Sequence, residues 1–285
     1  MDGDSTGEAA HLLALEAAEG HGMSRDFTLA LDHLRASAEL GFALAQASLA
    51  ALSGDWALTT SIIEGEPSTA DWQSLRNRID IAAWTATPAP KVLSAAPRVA
   101  LIEGLATAEM CDWLIARARP GLAPAQVYDP KSGGPMHQGV RTNRECFFPL
   151  EHRDLVFSIL RARIARATGL PVGAMEAPTI LHYAPGQHFL AHHDYLNPAA
   201  EGHAKNIAAH GQRVLTLLLC LNDDYEGGET EFPLLAKRFK GRKGNALFFW
   251  NVDPDGKLDK STLHAGLAPS QGEKWMFSQW IRERE

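Results

Sequence analysis

The chain has 285 residues, of which 45% are hydrophobic and 21% are charged, and its formal net charge at pH 7 is -7. This length suits two domains of ordinary size, and the composition is typical of a folded protein and not of a disordered one. The negative charge gives no sign of the basic face that nucleic-acid-binding proteins usually carry, and it leaves room only for local basic patches. We therefore expect no nucleic-acid partner.

The cysteine content and the start of the chain both bear on location. Three cysteines occur, Cys111, Cys146 and Cys220, without a Cys-x-x-Cys pair, which favours a reducing compartment. Residues 1–4 are acidic where a signal peptide is basic, and no apolar run approaches the roughly 18 residues of a membrane span. The sequence predicts a cytoplasmic protein with no membrane partner, and it leaves the oligomeric state open.

The N-terminal third has a helical pattern. Residues 7–54 are rich in alanine and leucine at helical spacing, and glycines interrupt the pattern at Gly20, Gly22 and Gly41. This spacing predicts helical hairpins, and the segment resembles slightly more than one Sel1-like repeat, a relative of the tetratricopeptide repeat. Because a solenoid needs about three repeats to bury its faces, we expect the segment either to cap the rest of the protein or to dock a protein substrate.

Three prolines mark the end of the helical pattern. Pro88, Pro90 and Pro97 cannot lie inside a helix, so they separate an α-helical domain over residues 1–94 from a second domain over residues 95–285. The second domain begins with a predicted strand at residues 99–105 and a predicted helix at 108–118. A second strand is predicted at 141–143 and a second helix at 154–168.

Beyond residue 177 the pattern changes to short strands separated by turn residues. The strands are predicted at residues 179–183, 188–192, 214–221, 229–232, 246–250 and 275–282. Such a series favours an antiparallel sandwich or barrel. The predicted fold class is α+β: a double-stranded β-helix, or jelly roll, with supporting helices, preceded by a small all-α region of helical hairpins.

Three residues form a candidate metal site. His192 and Asp194 lie two residues apart in a strand-like context, so their side chains project from one face. His264 precedes the last predicted strand and is the best-placed third ligand. Two histidines and one carboxylate form the facial triad that suits non-haem Fe(II) and leaves positions open for a cosubstrate and O2. We interpret the neighbouring histidines as residues that do not bind the metal: His182, His188 and His193.

Lys274 is a candidate anchor for an acid that chelates the metal. It lies ten residues after His264, at the start of the last predicted strand. Its ammonium group can meet a carboxylate as a point charge on a flexible stem. This arrangement indicates 2-oxoglutarate as the cosubstrate.

Four ordered blocks of sequence carry a family resemblance: residues 183–194, 213–222, 227–233 and 264–280. From about residue 99 to residue 282, the chain resembles the prolyl 4-hydroxylase family of Fe(II)- and 2-oxoglutarate-dependent dioxygenases. The resemblance implies that the triad is catalytic and binds Fe(II), and that 2-oxoglutarate and O2 are consumed. It also implies ascorbate as the reductant that keeps the iron ferrous.

The same resemblance implies roles for further residues. Tyr183 and Thr230 would donate hydrogen bonds to 2-oxoglutarate, whose distal carboxylate pairs with Lys274. Six residues would line the substrate side of the pocket: Arg141, Asn143, Glu176, Arg213, Trp280 and Arg282.

The chain departs from the family pattern on the substrate side. Phe189 stands where the family often has tyrosine, and Asn143 stands where it usually has serine. An insertion over residues 197–211, which contains His203 and His210, is a candidate lid. These departures leave the predicted metal chemistry intact and concern the identity of the substrate.

The predicted function is hydroxylation of a C–H bond, with prolyl 4-hydroxylation of a peptide or protein as the leading interpretation and succinate and CO2 as co-products. A hydroxylase of free amino acids or other small molecules would share this chemistry. A nucleic-acid demethylase of the AlkB type would favour an arginine anchor and a basic groove, whereas this chain has Lys274 and a negative charge. From another class, the chain could be a non-catalytic protein-binding module that uses the Sel1-like helices.

Overall fold

A computed structural model of the protein describes residues 2–20, 23–128, 135–136, 139–149 and 152–284. The chain divides into two compact units. The first comprises Met1–Thr87 and Glu151–Thr168, and the second comprises Pro88–Leu150 and Gly169–Glu285. In the described ranges, no helix is both long enough and apolar enough to cross a bilayer.

The first unit is all-helical. Its helices are α1 (Asp2–Glu19), α2 (Phe27–Glu39), α3 (Ala43–Leu52), α4 (Trp56–Ile63), α5 (Trp72–Arg78), α6 (Ile81–Thr85) and α8 (Leu155–Thr168). Five of them begin after an aspartate whose carboxylate accepts backbone N–H groups of the first turn: Asp26, Asp55, Asp71, Asp80 and Asp154. Gly20 and Gly41 follow α1 and α2 with φ of 79° and 88°, a conformation that favours glycine. Gly22 lies outside the described residues.

Close backbone approach joins the first two helices of this unit. The Ser37 hydroxyl of α2 donates to the Gly7 carbonyl of α1 at 2.6 Å, and a Cβ on Gly7 would lie 2.9 Å from the Phe42 Cβ. Small residues are therefore needed here, as expected for a helical hairpin. The predicted helical region is confirmed, while its relation to Sel1-like repeats stays a prediction.

Helix α8 belongs to the same unit although it is distant in sequence. Arg153, just before α8, pairs with Glu19 of α1 at 3.0 Å, and Ser158 of α8 donates to the same carboxylate at 3.2 Å. The chain thus returns to the first unit after its first strands. A functional division near residue 95 stays a prediction.

The second unit contains two helices and sixteen short strands among its described residues. The helices are α7 (Ala108–Ala118) and α9 (Glu201–His210). The strands are β1 (Lys91–Ala95), β2 (Arg98–Ile102), β3 (Ala123–Pro124), β4 (Val127–Tyr128), β5 (Pro135–Met136), β6 (Arg144–Phe147), β7 (Thr179–Tyr183), β8 (Phe189–His192), β9 (Arg213–Cys220), β10 (Glu226–Gly227), β11 (Thr230–Phe232), β12 (Lys237–Phe239), β13 (Ala246–Trp250), β14 (His264–Gly266), β15 (Pro269–Gln271) and β16 (Lys274–Arg282).

Two antiparallel sheets of this unit build the predicted jelly roll. The main sheet has the order β1-β2-β13-β9-β16-β7-β6-β3, and the smaller sheet has the order β12-β11-β14-β8. A buried apolar cluster joins them, with Phe232 from the smaller sheet against Val99, Leu247 and Phe249 from the main sheet. The core therefore lies between the sheets, and the predicted α+β jelly-roll fold is confirmed.

Strand boundaries agree best where the sequence is buried and regular. The helix at 108–118 and the strands at 179–183 and 246–250 have the predicted bounds. The strand predicted at 141–143 is wrong: β6 begins at Arg144, and Arg141 forms only an isolated bridge with Phe189. The insertion over residues 197–211 contains helix α9, which the sequence did not predict.

Candidate active site

Two neighbouring strands of the smaller sheet bring the candidate metal ligands together. His192, the last residue of β8, is the register partner of His264, the first residue of β14. The Asp194 carboxylate lies 3.4 Å from His192 Nε2 through Oδ1 and 3.5 Å from His264 Nε2 through Oδ2. One donor atom from each residue lies within 4.8 Å of the other two. The three side chains therefore converge as predicted.

The position of Asp194 has a different origin from the predicted one. Strand β8 ends at His192, so Asp194 lies in the following turn and not on a continuous strand. Its carboxylate is instead held from the main sheet. The Thr216 hydroxyl of β9 donates to Asp194 Oδ2 at 2.8 Å, and the Asn251 amide donates to Thr216 Oγ1 at 3.0 Å.

Thr216 and Asn251 support the candidate metal ligand Asp194, and the sequence did not reveal either of them. Both are fully buried, and together they form a two-step hydrogen-bond chain that ends on Asp194. A threonine within a buried strand has no motif that separates it from an ordinary core residue. Only the pairing of β9 with β13 explains their juxtaposition.

The ring orientation of both histidines is set by main-chain carbonyl groups. His192 Nδ1 lies 2.8 Å from the Leu190 carbonyl oxygen, and His264 Nδ1 lies 3.0 Å from that of Thr262. Because a carbonyl oxygen only accepts hydrogen bonds, each Nδ1 carries the proton. Each Nε2 is then unprotonated, and its lone pair points toward Asp194. A metal ion requires this form of the imidazole ring.

The electrostatics of the cluster favour the protonation states that bind metals. Burial opposes the charge on Asp194, but the neighbouring His264 and His192 and the hydrogen bond from Thr216 outweigh it and hold the pKa of the carboxyl well below its usual range. Burial and the nearby His192 lower the pKa of His264 to about 4. At neutral pH the site therefore offers an anionic carboxylate and a neutral His264, a donor set that fits Fe(II).

The predicted cosubstrate residues line the same pocket as the triad. Lys274 is the first residue of β16 and lies opposite Tyr183 of β7, with its Nζ 5.0 Å from the centre of the Tyr183 ring. Thr230 is buried on β11. Lys274 is only 2% exposed, and within the described part of the chain it has no anionic partner in hydrogen-bond or ion-pair distance. Burial lowers its pKa to about 8 and raises that of Tyr183 to about 12. A buried, unpaired ammonium group is a ready site for a carboxylate.

The predicted substrate residues fall into two groups. In the first, Arg141 pairs with Glu145 at 2.6 Å, donates from Nε to Asn143 Oδ1 at 3.0 Å, and lies 4.7 Å from the centre of the Phe189 ring. Asn143 is buried and donates to the Arg144 carbonyl at 2.8 Å. Arg141 lines the pocket, whereas Asn143 supports Arg141 from behind.

The second group is organised by Glu176. Its carboxylate accepts hydrogen bonds from both Nε and Nη2 of Arg213, at 2.6 and 2.9 Å. The same carboxylate lies 2.6 Å from Arg282 Nε. Arg213 in turn lies over the Trp280 ring, 3.6 Å from its centre, and Trp280 lines the pocket. Glu176 therefore holds two arginines in place beside the tryptophan.

The structure gives other contacts to His182, His188 and His193, and their interpretation as residues that do not bind the metal stays a prediction. His193 Nε2 lies 3.0 Å from the Lys260 carbonyl, and His188 Nε2 lies 3.2 Å from the Gly139 carbonyl. His182 packs beside Trp275 on the face of the main sheet that is opposite Tyr183.

Comparison with known proteins agrees with this geometry. Residues 178–282 match the 2OG-Fe(II) oxygenase superfamily. Prolyl 4-hydroxylase 1 of Arabidopsis thaliana is 36% identical over 211 residues, which cover 68% of this chain and 72% of that protein. Prolyl 4-hydroxylase 5 of the same plant is 35% identical over 214 residues, with the same coverage of each chain.

Among solved structures, the viral collagen prolyl hydroxylase of Paramecium Bursaria Chlorella virus-1, in its complex with 2OG, is 29% identical. The match covers 64% of this chain and 94% of that one, with a TM-score of 0.49. The identity to the two plant proteins, and the share of their length that is covered, establish the relationship. The chain belongs to the prolyl 4-hydroxylase family of Fe(II)- and 2-oxoglutarate-dependent dioxygenases.

Proposed function

We propose that this dioxygenase hydroxylates proline residues of a peptide or protein and converts 2-oxoglutarate to succinate and CO2. The observation that carries the proposal is the position of the buried, unpaired Lys274 in the same pocket as His192, Asp194 and His264. The choice of proline is supported by the names of the plant relatives, which are prolyl 4-hydroxylases.

In this proposal, the Nε2 atoms of His192 and His264 and the Asp194 carboxylate bind Fe(II). Bound there, Fe(II) supplies with O2 and 2-oxoglutarate the oxidising power that protein side chains lack. The protein's own contribution is to fix these donors. Thr216 orients the carboxylate, and the carbonyl groups of Leu190 and Thr262 keep the two rings from rotating.

Lys274, Tyr183 and Thr230 hold 2-oxoglutarate in this proposal. The charged Lys274 binds the distal carboxylate of 2-oxoglutarate. The hydroxyl groups of Tyr183 and Thr230 donate hydrogen bonds to the same cosubstrate. Burial raises the pKa of Tyr183 to about 12, so its hydroxyl remains a donor at any physiological pH. The apolar side chains of Leu181, Leu218 and Met276 line the rest of this part of the pocket and exclude water.

The substrate side of the pocket is assigned to Arg141, Arg213 and Trp280. Arg141 and Trp280 line the pocket, and Arg213 stacks on Trp280. A tryptophan face is a suitable surface for the apolar proline ring, and Arg213 keeps that face in place. In this arrangement Asn143, Glu176 and Arg282 support the contact residues, and helix α9 is the candidate lid.

The decisive experiment is mass spectrometry of candidate substrates after incubation with Fe(II), 2-oxoglutarate, ascorbate and the full-length protein. Proline-containing peptides should gain the mass of one oxygen with release of succinate, and Asp194→Ala should abolish the gain. His193→Ala, a neighbouring histidine outside the triad, is the matched control and should retain it. Oxidation of free proline but not of peptides would favour the small-molecule alternative. Bound iron without succinate release from any proline-bearing compound would contradict the proposal.

Two further parts of the proposal concern the surroundings of the enzyme. Ascorbate would keep the iron ferrous, so turnover without it should decline with time and recover when it is added. A cytoplasmic location is supported by the cysteines: within the described residues all three are free thiols, and burial raises the pKa of Cys111 to about 12 and that of Cys220 to about 11. Cell fractionation tests it.

A further inference from the structure

Two hydroxyl groups face each other on the pocket side of the main sheet. Thr179 of β7 and Ser278 of β16 are direct register partners, a position in which Cβ atoms lie roughly 4.5–5.5 Å apart. Both residues are 7% exposed, and both line the pocket that contains Asp194 and Lys274. Within the described part of the chain, neither hydroxyl has a hydrogen-bond partner.

The surroundings of this hydroxyl pair are apolar. Along the same face, Leu181 and Met276 separate it from Tyr183 and Lys274, and Leu218 is the register partner of Ser278 on β9. A hydroxyl group without a hydrogen bond is costly in such surroundings. The pair therefore requires a partner from outside the polypeptide.

Position distinguishes this partner from 2-oxoglutarate. Ser278 lies four residues beyond Lys274 on one strand, which corresponds to about 13 Å. That span is longer than an extended 2-oxoglutarate, whose distal carboxylate the proposed function places at Lys274. Ser278 is also two residues from Trp280, on the same face of β16, so the hydroxyl pair adjoins the substrate side.

Charge restricts the partner further. Arg141, the cation on the substrate side of the pocket lining, is already paired with Glu145 at 2.6 Å. Two neutral hydroxyl groups in an apolar wall favour an uncharged oxygen over a carboxylate, because no opposite charge would balance the latter. A main-chain carbonyl meets this requirement, whereas the carboxylate of a free amino acid does not.

We propose that Thr179 and Ser278 form a subsite for one uncharged hydrogen-bonding oxygen. In the substrate-free enzyme a water molecule occupies it, and a main-chain carbonyl of the substrate replaces this water when a peptide binds. The identity of the peptide rests on the proposed function above, whereas the presence of the subsite does not. The subsite favours peptides over free proline as substrates.

The water is tested by a high-resolution crystal structure of the full-length protein with Mn(II) and 2-oxoglutarate. We expect an ordered water within about 3.2 Å of both hydroxyl oxygens, and its loss in the double variant Thr179→Val/Ser278→Ala. A direct hydrogen bond between the two hydroxyl groups, or no atom near them, would overturn the proposal.

The carbonyl is tested with poly-L-proline, which offers main-chain carbonyl groups and no N–H donor along its length. Each single variant should raise KM for poly-L-proline by about 2- to 10-fold, as expected for one lost hydrogen bond, with KM for 2-oxoglutarate unchanged. Ile180→Val removes a methyl group from the opposite face of β7 and is the control. An unchanged KM in the double variant would overturn the peptide role.

The two proposals fail in different ways. If the wild-type enzyme does not oxidise poly-L-proline or any prolyl peptide, the proposed function fails. The subsite is then judged by the water alone in the Mn(II)–2-oxoglutarate complex. If prolyl peptides are oxidised equally well by the wild type and the double variant, the function stands and the subsite is wrong.

Discussion

The ring of Phe189 is stacked on the ring of His192, with centroids 3.6 Å apart and an interplanar angle of 14°. His192 has the most exposed side chain of the triad, at 19% against 5% for Asp194 and His264. Phe189 thus covers one face of the ligand that the sheet covers least. The family departure at this position therefore adjoins the metal site as well as the substrate side.

We expect Phe189→Ala to weaken Fe(II) binding by about 10-fold, the lower end of the effect of losing a residue that orients a metal ligand. Phe189→Tyr keeps the stacked ring and should bind Fe(II) as the wild type does. Anaerobic metal titration measures both. Equal affinity in the alanine variant would show that the Leu190 carbonyl alone orients His192.

The hydrogen-bond chain behind Asp194 gives a second prediction. Thr216→Val leaves the Asn251 amide and Asp194 Oδ2 without the hydroxyl that joins them. Losing such a partner should weaken metal binding by about 10- to 100-fold and lower the free energy of unfolding by about 1–3 kcal/mol.

Thr216→Ser is the matched control because it retains the hydroxyl group. It should keep wild-type metal affinity, with a smaller loss of stability from the missing methyl group. Calorimetric metal titration and urea unfolding separate the two effects. Wild-type affinity in the valine variant would contradict an orienting role for Thr216.

Lys274 predicts a pH dependence of 2-oxoglutarate binding. Burial lowers its pKa to about 8, a shift that the nearby Cys220 and Glu229 partly oppose. The ammonium form binds the anion, so affinity should be level below pH 8 and fall as the pH rises above it. The expected loss is about 5-fold between pH 8 and pH 9, and it approaches about 10-fold per pH unit above that range, since one proton is lost per site.

Lys274→Arg is the control for this profile, because a guanidinium group stays charged throughout that range. Its affinity should be lower than that of the wild type but independent of pH from 7 to 9. Anaerobic titration of the Fe(II) protein with 2-oxoglutarate gives both curves. A wild-type curve that stays level to pH 9 would exclude Lys274 as the titrating anchor.

Glu176 holds two arginines, so its removal should affect stability. Glu176→Ala leaves Arg213 and the largely buried Arg282 as adjacent, uncompensated cations. We expect the free energy of unfolding to fall by about 2 kcal/mol, less than for a fully buried pair because Arg213 is partly exposed.

The exposed pair of Glu231 and Arg238, at 2.8 Å, provides the comparison. Glu231→Ala should change the free energy of unfolding by less than about 1 kcal/mol. Urea denaturation measures the free energy of unfolding of both variants, and the two losses can then be compared. Equal losses would mean that Glu176 contributes no more than a surface ion pair.

The sequence revealed those parts of the site that depend on local spacing. His192 and Asp194 are two residues apart, and His264 and Lys274 are ten residues apart in one block. These spacings can be recognised in the sequence without knowledge of the fold. The convergence of His192 and Asp194 does not come from strand alternation alone, because Asp194 lies beyond the end of β8.

Features that depend on pairing between distant strands left no such pattern. Thr216 and Asn251 are adjacent only because β9 pairs with β13, and Thr179 faces Ser278 only because β7 pairs with β16. Helix α8 was predicted from its apolar spacing, but its packing with the N-terminal helices depends on contacts such as that of Arg153 with Glu19. Short strands of two residues, such as β3, have too few residues to show an alternation.

The carbonyl groups that fix the Nδ1 protons of His192 and His264 also have a consequence for metal identity. The oriented Nε2 lone pairs can bind any divalent ion that accepts nitrogen ligands. Cobalt, nickel and zinc bind such donors more tightly than Fe(II) does. The donor set therefore fits Fe(II) without selecting it over these ions, and the supply of metal should decide which ion is bound. A preparation from zinc-rich medium should be folded, fully metallated and inactive until a chelator and fresh Fe(II) exchange the ion.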